Sequence, residues 1–310
     1  MPGGVRLLAC RAHRCCCCDR PGLRRHGRFD SMVRGRHNER MFALHNDPAA
    51  ALPILIRAAE AAGAVAMAYF QPGATTTARV DYKDNNSPVT EADLAANKAA
   101  LAVIAAEMPG AALFSEEIAD NSDRFNHADV VVIDPIDGTR AFIQGRSEWC
   151  VSIALMRKSV PVAGVIHAPA RGETFAAARG GGASLNGRPL PRRTPSAAGG
   201  RITGPRPLLD TLAPVWPAFQ RGETYRALAY RLATVAAGCE DVAVATEGAH
   251  DWDIAAAEVL LCETGCALLT RDGARAVYNA SNPVHPALVA AEAATAERLI
   301  TALSAVGAEA

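Results

Sequence analysis

Aromatic side chains are scarce in this 310-residue chain, only 5% of residues, so its core must be built mainly from Ala, Val, Leu and Ile. No uninterrupted apolar run reaches the roughly 18–20 residues of a transmembrane helix. Nothing at the start has the apolar stretch of about 7–15 residues that marks a secretory signal. Net charge is also missing: 32 basic residues balance 32 acidic ones. That average hides an uneven distribution, because residues 1–40 carry ten Arg against Asp19, Asp30 and Glu39, a net of +7, and the remainder sums to −7. A polyanion-binding body is therefore not implied, and no nucleic-acid partner is expected. His-Glu-x-x-His, Gly-x-Ser-x-Gly and Walker-type loops are absent as well, which removes the commonest signatures of zinc peptidases, serine hydrolases and P-loop enzymes.

Cysteine is present but unhelpful for a framework. Cys10 and Cys15 to Cys18 crowd the first eighteen residues, and four adjacent cysteines cannot supply the spaced pairs of a zinc site or disulfide scaffold. Cys150, Cys239, Cys262 and Cys266 sit in apolar stretches and read as small core residues. The chain thus reads as a reducing-compartment, cytoplasmic protein. Residues 1–40, rich in Arg, Gly and Cys without hydrophobic period, are expected to be a disordered or non-native extension, with Met41 a candidate start. Residues 41–310 then form the folded part, with subdomains of about 41–190 and 191–310.

What is there is a mixed α/β pattern. Leu52, Leu55, Ile56, Ala59, Ala62, Ala66 and Tyr69 recur at helical spacing until Pro72-Gly73. Thr90-Glu91-Ala92-Asp93 is a capping box for a second helix. Strands are expected at Ala112 to Phe114, Val130 to Ile133, Val151 to Leu155, Val162 to Ile166 and Thr174 to Ala178, the last three as an antiparallel meander. Helices are expected near 228–238, 253–264 and 293–305.

Acidic residues stand at the ends of several of these elements. Asp134-Pro135-Ile136-Asp137-Gly138-Thr139 follows a buried strand, and the Asp-Gly step permits a sharp turn that leaves two carboxylates, a hydroxyl and bare amides together. Alone, such a segment is more often a surface turn than a site. Glu116 ends another strand and could be a solvated acid, Asp253 opens a helix and could be a dipole-favoured cap, and Asp93 is already explained by its capping box. Together they make a physical demand. Two carboxylates about 4 Å apart repel by about 4 kcal/mol at an effective dielectric near 20, so three or four converging need protons or cations. Oxygen ligands without nearby His or Cys select Mg²⁺, Mn²⁺ or Ca²⁺ over zinc, and a Mg²⁺ cluster suits phosphate-ester hydrolysis.

Val89-Thr90-Glu91-Ala92-Asp93, Ser115-Glu116-Glu117, Asp134 to Thr139 and Trp252-Asp253 occur in the order found in the inositol monophosphatase superfamily, which the chain resembles over roughly residues 48 to 300. Asp84 to Asp93, the Ser-Glu-Glu form and Asp137 to Ile143 look most like CysQ-type 3′(2′),5′-bisphosphate nucleotidases. The Gly-Ser-Ser stretch usual before a late helix is replaced by Ala227-Leu228-Ala229-Tyr230-Arg231, on the substrate side of relatives. The resemblance implies a layered α-β-α-β-α fold and a Mg²⁺-dependent phosphomonoesterase. It implies that Glu116, Asp134, Asp137, Asp253 and the Ile136 carbonyl hold Mg²⁺, with Asp93 assisting a weaker metal through water. Glu116 and Thr139 would orient the attacking water. Gly138 and Thr139 amides would receive the phosphate, with Glu116, Ile136, Asp137 and Asp253 also touching substrate. Adenosine 3′,5′-bisphosphate is the expected substrate, inositol 1-phosphate the alternative, and another sugar phosphatase or a non-catalytic phosphate binder stands behind both. A homodimer is left open. Arg140 and Arg231 could contact a second phosphate, although a solvated arginine is the simpler reading of each.

Overall fold

A computed structural model of the chain describes residues 47–83, 86–120, 122–195 and 199–307, without the side chains beyond 303. The expected disorder of residues 1–40 lies outside these. Pro48–Ala51 is a single 3₁₀ turn capped by Asp47, and it leads into helix α1, Leu52–Met67. Ile54, Leu55, Ala58, Ala59, Ala62 and Ala66 form its buried stripe. Here one expectation needs correcting: Pro48–Met67 is a 20-residue helix with mean hydropathy 1.5, long and apolar enough by composition to cross a membrane. The scattered Arg57 and Glu60 broke the uninterrupted run, but the stripe packs on a second helix and a sheet.

Strands β1 (Val80–Tyr82) and β2 (Pro88–Thr90) form a short antiparallel ladder before helix α2, Glu91–Glu107. Thr90 caps α2 and the Asp93 carboxylate returns the bond, so the capping box is formed in full. Strands β3 (Ala112–Ser115) and β4 (Asp129–Asp137) pair in parallel. Val130, Val131, Val132 and Ile133 are all buried, as a strand covered on both faces requires. The structure extends β4 beyond the expected strand, through Asp134 to Asp137, with a shift of register between those two residues. The motif is thus a bulged strand end rather than a free turn. Gly138 then takes φ +85, which glycine adopts without the penalty of a side chain, and the short helix α3, Thr139–Ile143, begins.

Strands β5 (Cys150–Arg157), β6 (Val160–Ala168) and β7 (Glu173–Ala178) form the expected meander. With β8 (Gly182–Leu185) and β9 (Arg188–Pro189) they complete a seven-stranded sheet ordered β3-β4-β5-β6-β7-β8-β9. The remaining elements are β10 (Arg201–Thr203), α4 (Arg206–Leu212), β11 (Gln220–Arg221), α5 (Leu228–Ala237), β12 (Val242–Ala245), β13 (Ala249–His250) and α6 (Asp251–Glu263). They are followed by β14 (Cys266–Thr270), β15 (Val284–His285), β16 (Leu288–Glu292) and α7 (Ala293–Gly307). A second, five-stranded sheet is ordered β11-β10-β12-β16-β14.

The layers follow from which faces these elements bury. Helices α1 and α2 pack together on one face of the large sheet, and α5 and α6 fill the space between the two sheets. Leu209 and Leu212 of α4, with Ala296, Leu299 and Ile300 of α7, cover the outer face of the small sheet. The result is the layered α-β-α-β-α arrangement. Gly164 on β6 permits the closest approach: a Cβ there would stand 2.5 Å from the Ala256 carbonyl oxygen of α6. That contact helps set how deeply α6 sinks against the sheet, and α6 carries Asp253.

Two cysteine expectations fail. Cys150 and Cys266 are buried, but Cys239 is exposed and Cys262 half-buried, because each follows or ends a helix rather than facing its core.

Candidate active site

The bulged end of β4 aims two acids into one cavity of about 650 Å³, lined also by Glu116, Ile136, Gly138, Thr139, Arg231 and Asp253. Carboxylate oxygens of Asp134, Asp137 and Asp253 lie within 4.8 Å of one another. Asp134 and Asp137 are buried, whereas the Asp253 side chain keeps 20% of its surface exposed. Each is held by backbone. Asp134 Oδ1 accepts the Ile136 amide at 3.0 Å. Asp137 accepts the amides of Leu228 (3.1 Å) and Ala229 (2.6 Å) at the start of α5. Asp253 Oδ2 accepts the His250 amide at 2.7 Å.

These partners do not neutralise the cluster. Burial pushes the Asp137 carboxyl up to about 6, with the Ala229 and Leu228 amides limiting the rise. Burial also raises Asp134 and Asp253 well above the usual carboxylate range. Charge repulsion adds to it, chiefly from Glu116 on Asp134 and from Asp137 on Asp253. Ionising all three acids so close together in a buried site is costly without a cation. The donor set is entirely oxygen, which fits a hard divalent cation.

Glu116 faces the same cavity, where its amide donates to the Ile133 carbonyl at 3.1 Å. Its carboxylate is occupied: Lys83 Nζ donates to Glu116 Oε1 at 2.8 Å and to Glu117 Oε1 at 2.9 Å. Lys83 carried no signal beyond a polar loop, because its partners are more than thirty residues away. The Ile136 carbonyl accepts from Thr139 Oγ1 at 3.1 Å. Asp93 stands behind this group rather than in the cavity lining. Its Oδ2 caps α2 through Thr90 (2.8 and 2.6 Å), and its Oδ1 faces Thr139 Oγ1 at 3.4 Å. Burial raises the Asp93 carboxyl to about 7 against the Thr90 bonds.

Of three nearby residues, Arg231 departs from expectation, Asp251 was missed, and His250 carried no ligand role to begin with. Arg231 is not solvated: it is buried, donating to the Tyr225 carbonyl at 3.2 and 2.7 Å and to the Val244 carbonyl at 2.9 Å. Its cation faces Asp137 and holds that acid's pKa down. His250 is a rim residue, its ring stacked on Trp252 with centroids 4.5 Å apart. Asp251, next to the motif acid, is fully buried and takes His285 Nε2 at 2.7 Å and the Asn279 amide at 2.8 Å, which pins the start of α6.

Residues 47–308 match the family model described as the inositol monophosphatase family. A glucose-1-phosphate thymidylyltransferase of Streptomyces griseus is 36% identical over 67% of this chain and 81% of its own length. A histidinol-phosphatase of Mycobacterium tuberculosis is 32% identical, over 66% of this chain and 82% of its own. A 3′(2′),5′-bisphosphate nucleotidase CysQ of Haemophilus influenzae is 31% identical, over 64% and 78%. Among solved structures, the extragenic suppressor protein suhB of Bartonella henselae aligns with a TM-score of 0.70 at 25% identity, covering 81% of this chain and 97% of that one.

Proposed function

The chain belongs to the inositol monophosphatase family, and on that premise we propose that it hydrolyses 3′(2′),5′-bisphosphate nucleotides, converting adenosine 3′,5′-bisphosphate to AMP and phosphate. The coarser activity, a metal-dependent phosphatase of small phosphate monoesters, is that of the family. Mg²⁺ is the ion we assign, held by Glu116, Asp134, the Ile136 carbonyl, Asp137 and Asp253, and a cytoplasmic setting belongs to the same proposal. When bound, the ion supplies charge for the phosphate oxygens and lowers the pKa of its water.

The chain's own residues do the rest. The three aspartates, fixed by backbone amides, keep their geometry before any ligand arrives, so little ordering is left for the transition state. Thr139 Oγ1 has two acceptors within reach, the Ile136 carbonyl and Asp93 Oδ1, and can therefore orient a water beside Glu116. Gly138 lines the cavity without side-chain bulk and Thr139 beside it opens α3, which leaves the two amides to receive phosphate oxygens. Lys83 donates to Glu116 Oε1 at 2.8 Å and to Glu117 Oε1 at 2.9 Å, so it would compete with an ion for that Glu116 oxygen.

The observation that supports a second anionic group on the substrate lies at the cavity mouth. Four arginines line it: Arg231 is committed to backbone carbonyls and Arg146 to Glu148. Arg226 has no ion pair among the described residues, and Arg140 reaches only the Asn86 carbonyl at 3.5 Å. Two exposed guanidinium groups lining the cavity that holds the acids support a bisphosphate over a monophosphate. The test is Mg²⁺-dependent phosphate release from adenosine 3′,5′-bisphosphate, inositol 1-phosphate, histidinol phosphate and fructose 1,6-bisphosphate. The nucleotide is expected to have the highest kcat/KM, and Arg226→Ala to lower it through KM. A clear preference for inositol 1-phosphate or histidinol phosphate, indifferent to Arg226, overturns the substrate assignment and leaves the metal chemistry standing.

A further inference from the structure

Of the four acids assigned to the metal, one reaches it by a different route. Glu116 follows β3, and Asp134 and Asp137 end β4, so adjacent strands of one sheet carry these three. Asp253 stands in the first turn of α6, and nothing within that helix fixes its distance from the strand ends.

A buried cation spans the gap. Arg124 is 1% exposed, and its Cζ lies 4.2 Å from the ring centroids of both Phe114 and Phe125. Its Nε and Nη2 donate to the Asp120 carboxylate at 3.0 and 2.9 Å, which ties the cation to the chain just after Glu116. Its Nη1 donates to Asn279 Oδ1 at 2.5 Å, and its Nη2 also donates to the Ala280 carbonyl at 2.8 Å. Asn279 carries the connection onward, because its amide donates to Asp251 Oδ2 at 2.8 Å, next but one to Asp253. The other Asp251 oxygen lies 2.7 Å from His285 Nε2. A second route runs through rings. Phe114, under the guanidinium and next but one to Glu116, packs on Trp252 with centroids 5.0 Å apart, and Trp252 adjoins Asp253.

Stability alone does not call for a guanidinium here, since burying a charge is costly and an apolar side chain between two phenyl rings would often serve as well. An apolar residue could not hold three acceptors in fixed directions. The guanidinium presents its donors in a rigid plane, and here they reach a carboxylate, a carboxamide and a carbonyl on two separate segments. A small divalent ion demands near-ideal octahedral geometry with bonds of about 2.0–2.1 Å, so acids supplied by two elements must be held in register.

We propose that Arg124 is a positioning residue for the metal site, fixing the start of α6, and with it Asp253, against the strand end that carries Glu116. Among the described residues it bonds none of the four acids, and it lies outside the cavity lining. The inference rests on the metal site proposed above.

Mn²⁺ titration of the full chain, followed by the paramagnetic resonance signal of the free ion, tests this without turnover. The parent should bind Mn²⁺ saturably. Arg124→Lys keeps the charge and loses the planar fork, and it should weaken binding by about tenfold or more. Asn279→Gly accepts the φ of +55 at that position and removes the side chain that Arg124 Nη1 reaches. It should weaken binding by about threefold or more, and it decides the matter if Arg124→Lys does not fold. Asn279→Asp keeps an acceptor in the same place and should bind within about twofold of the parent. Leu299→Ala, on the outer face of the small sheet, costs stability without touching these contacts and should also bind like the parent. Parent-like binding by Arg124→Lys or by Asn279→Gly would overturn the proposal, as would an Asn279→Asp as weak as Asn279→Gly. A loss in Leu299→Ala matching that in Arg124→Lys would overturn it too, because general destabilisation would then explain both. A parent that binds no Mn²⁺ would overturn the metal site itself, and this proposal with it.

Discussion

Asp134→Asn takes one negative charge from three carboxylates whose oxygens lie within 4.8 Å, and it spares the backbone contact, because an amide oxygen can still accept from Ile136. At that separation two full charges repel by about 3 kcal/mol at an effective dielectric near 20. Protonation already relieves part of this. The Asp137 carboxyl rises from 3.8 to about 6, which corresponds to about 3 kcal/mol of preference for the neutral form. The expected gain for the metal-free variant at pH 7.5 is therefore about 1–3 kcal/mol of unfolding free energy. The sign with pH follows from the direction of the shifts. Carboxyls with raised pKa bind protons more tightly when folded, so their contribution is complete below about pH 4 and is lost as pH rises through about 6. Urea unfolding in EDTA should show the parent weakening between pH 4.5 and 7.5 and the variant weakening less. Adding Mg²⁺ at pH 7.5 should reverse the ranking, because only the parent gains from binding. A variant no more stable than the parent in EDTA at pH 7.5, or stabilised equally by Mg²⁺, would refute a shared charge site.

Other perturbations reach the neighbouring elements. Lys83→Met releases Glu116 from its 2.8 Å ion pair, so the Mg²⁺ concentration giving half-maximal activity should fall by about threefold or more; an unchanged or higher requirement would show that Lys83 does not compete with the metal. Asp251→Ala removes the buried partner of His285 and of the Asn279 amide and should cost about 3 kcal/mol in chemical denaturation, while a loss below about 1 kcal/mol would mean the pair does not pin α6. Gly138→Ala forces a side chain onto φ +85 with its Cβ 2.9 Å from that of Ala227. The strain of about 1–2 kcal/mol should lower the melting temperature by a few degrees and kcat by at least about tenfold, and parent-like kinetics would argue against a tightly built floor.

The elements of this fold were legible where one local pattern settled them. The unbroken apolar run Val130 to Ile133 could only be a doubly covered strand, and Thr90 with Asp93 announced the start of α2. The acids of the site were legible as residues but not as a cluster. Asp137 finds its donors at Leu228 and Ala229, about ninety positions on, and Asp253 arrives because α6 packs closely over Gly164. No window of sequence contains those contacts. Lys83 and Arg231 were opaque for the same reason: a lysine in a polar loop and an arginine in a helix reveal their roles only when a distant carboxylate or carbonyl meets them. Arg124, buried between the rings of Phe114 and Phe125 and tied to the Ala280 carbonyl, is a further case.

We propose that Asp134, Asp137 and Asp253, with Glu116, hold the metal on which phosphatase activity depends. Phosphate release from the best substrate of the panel, titrated with Mg²⁺ for the parent and Asp137→Asn, decides it. The parent should saturate with Mg²⁺ and lose activity in EDTA, and the variant should fall at least about a hundredfold at equal Mg²⁺. Equal rates for the two proteins, or a parent indifferent to EDTA, would contradict it.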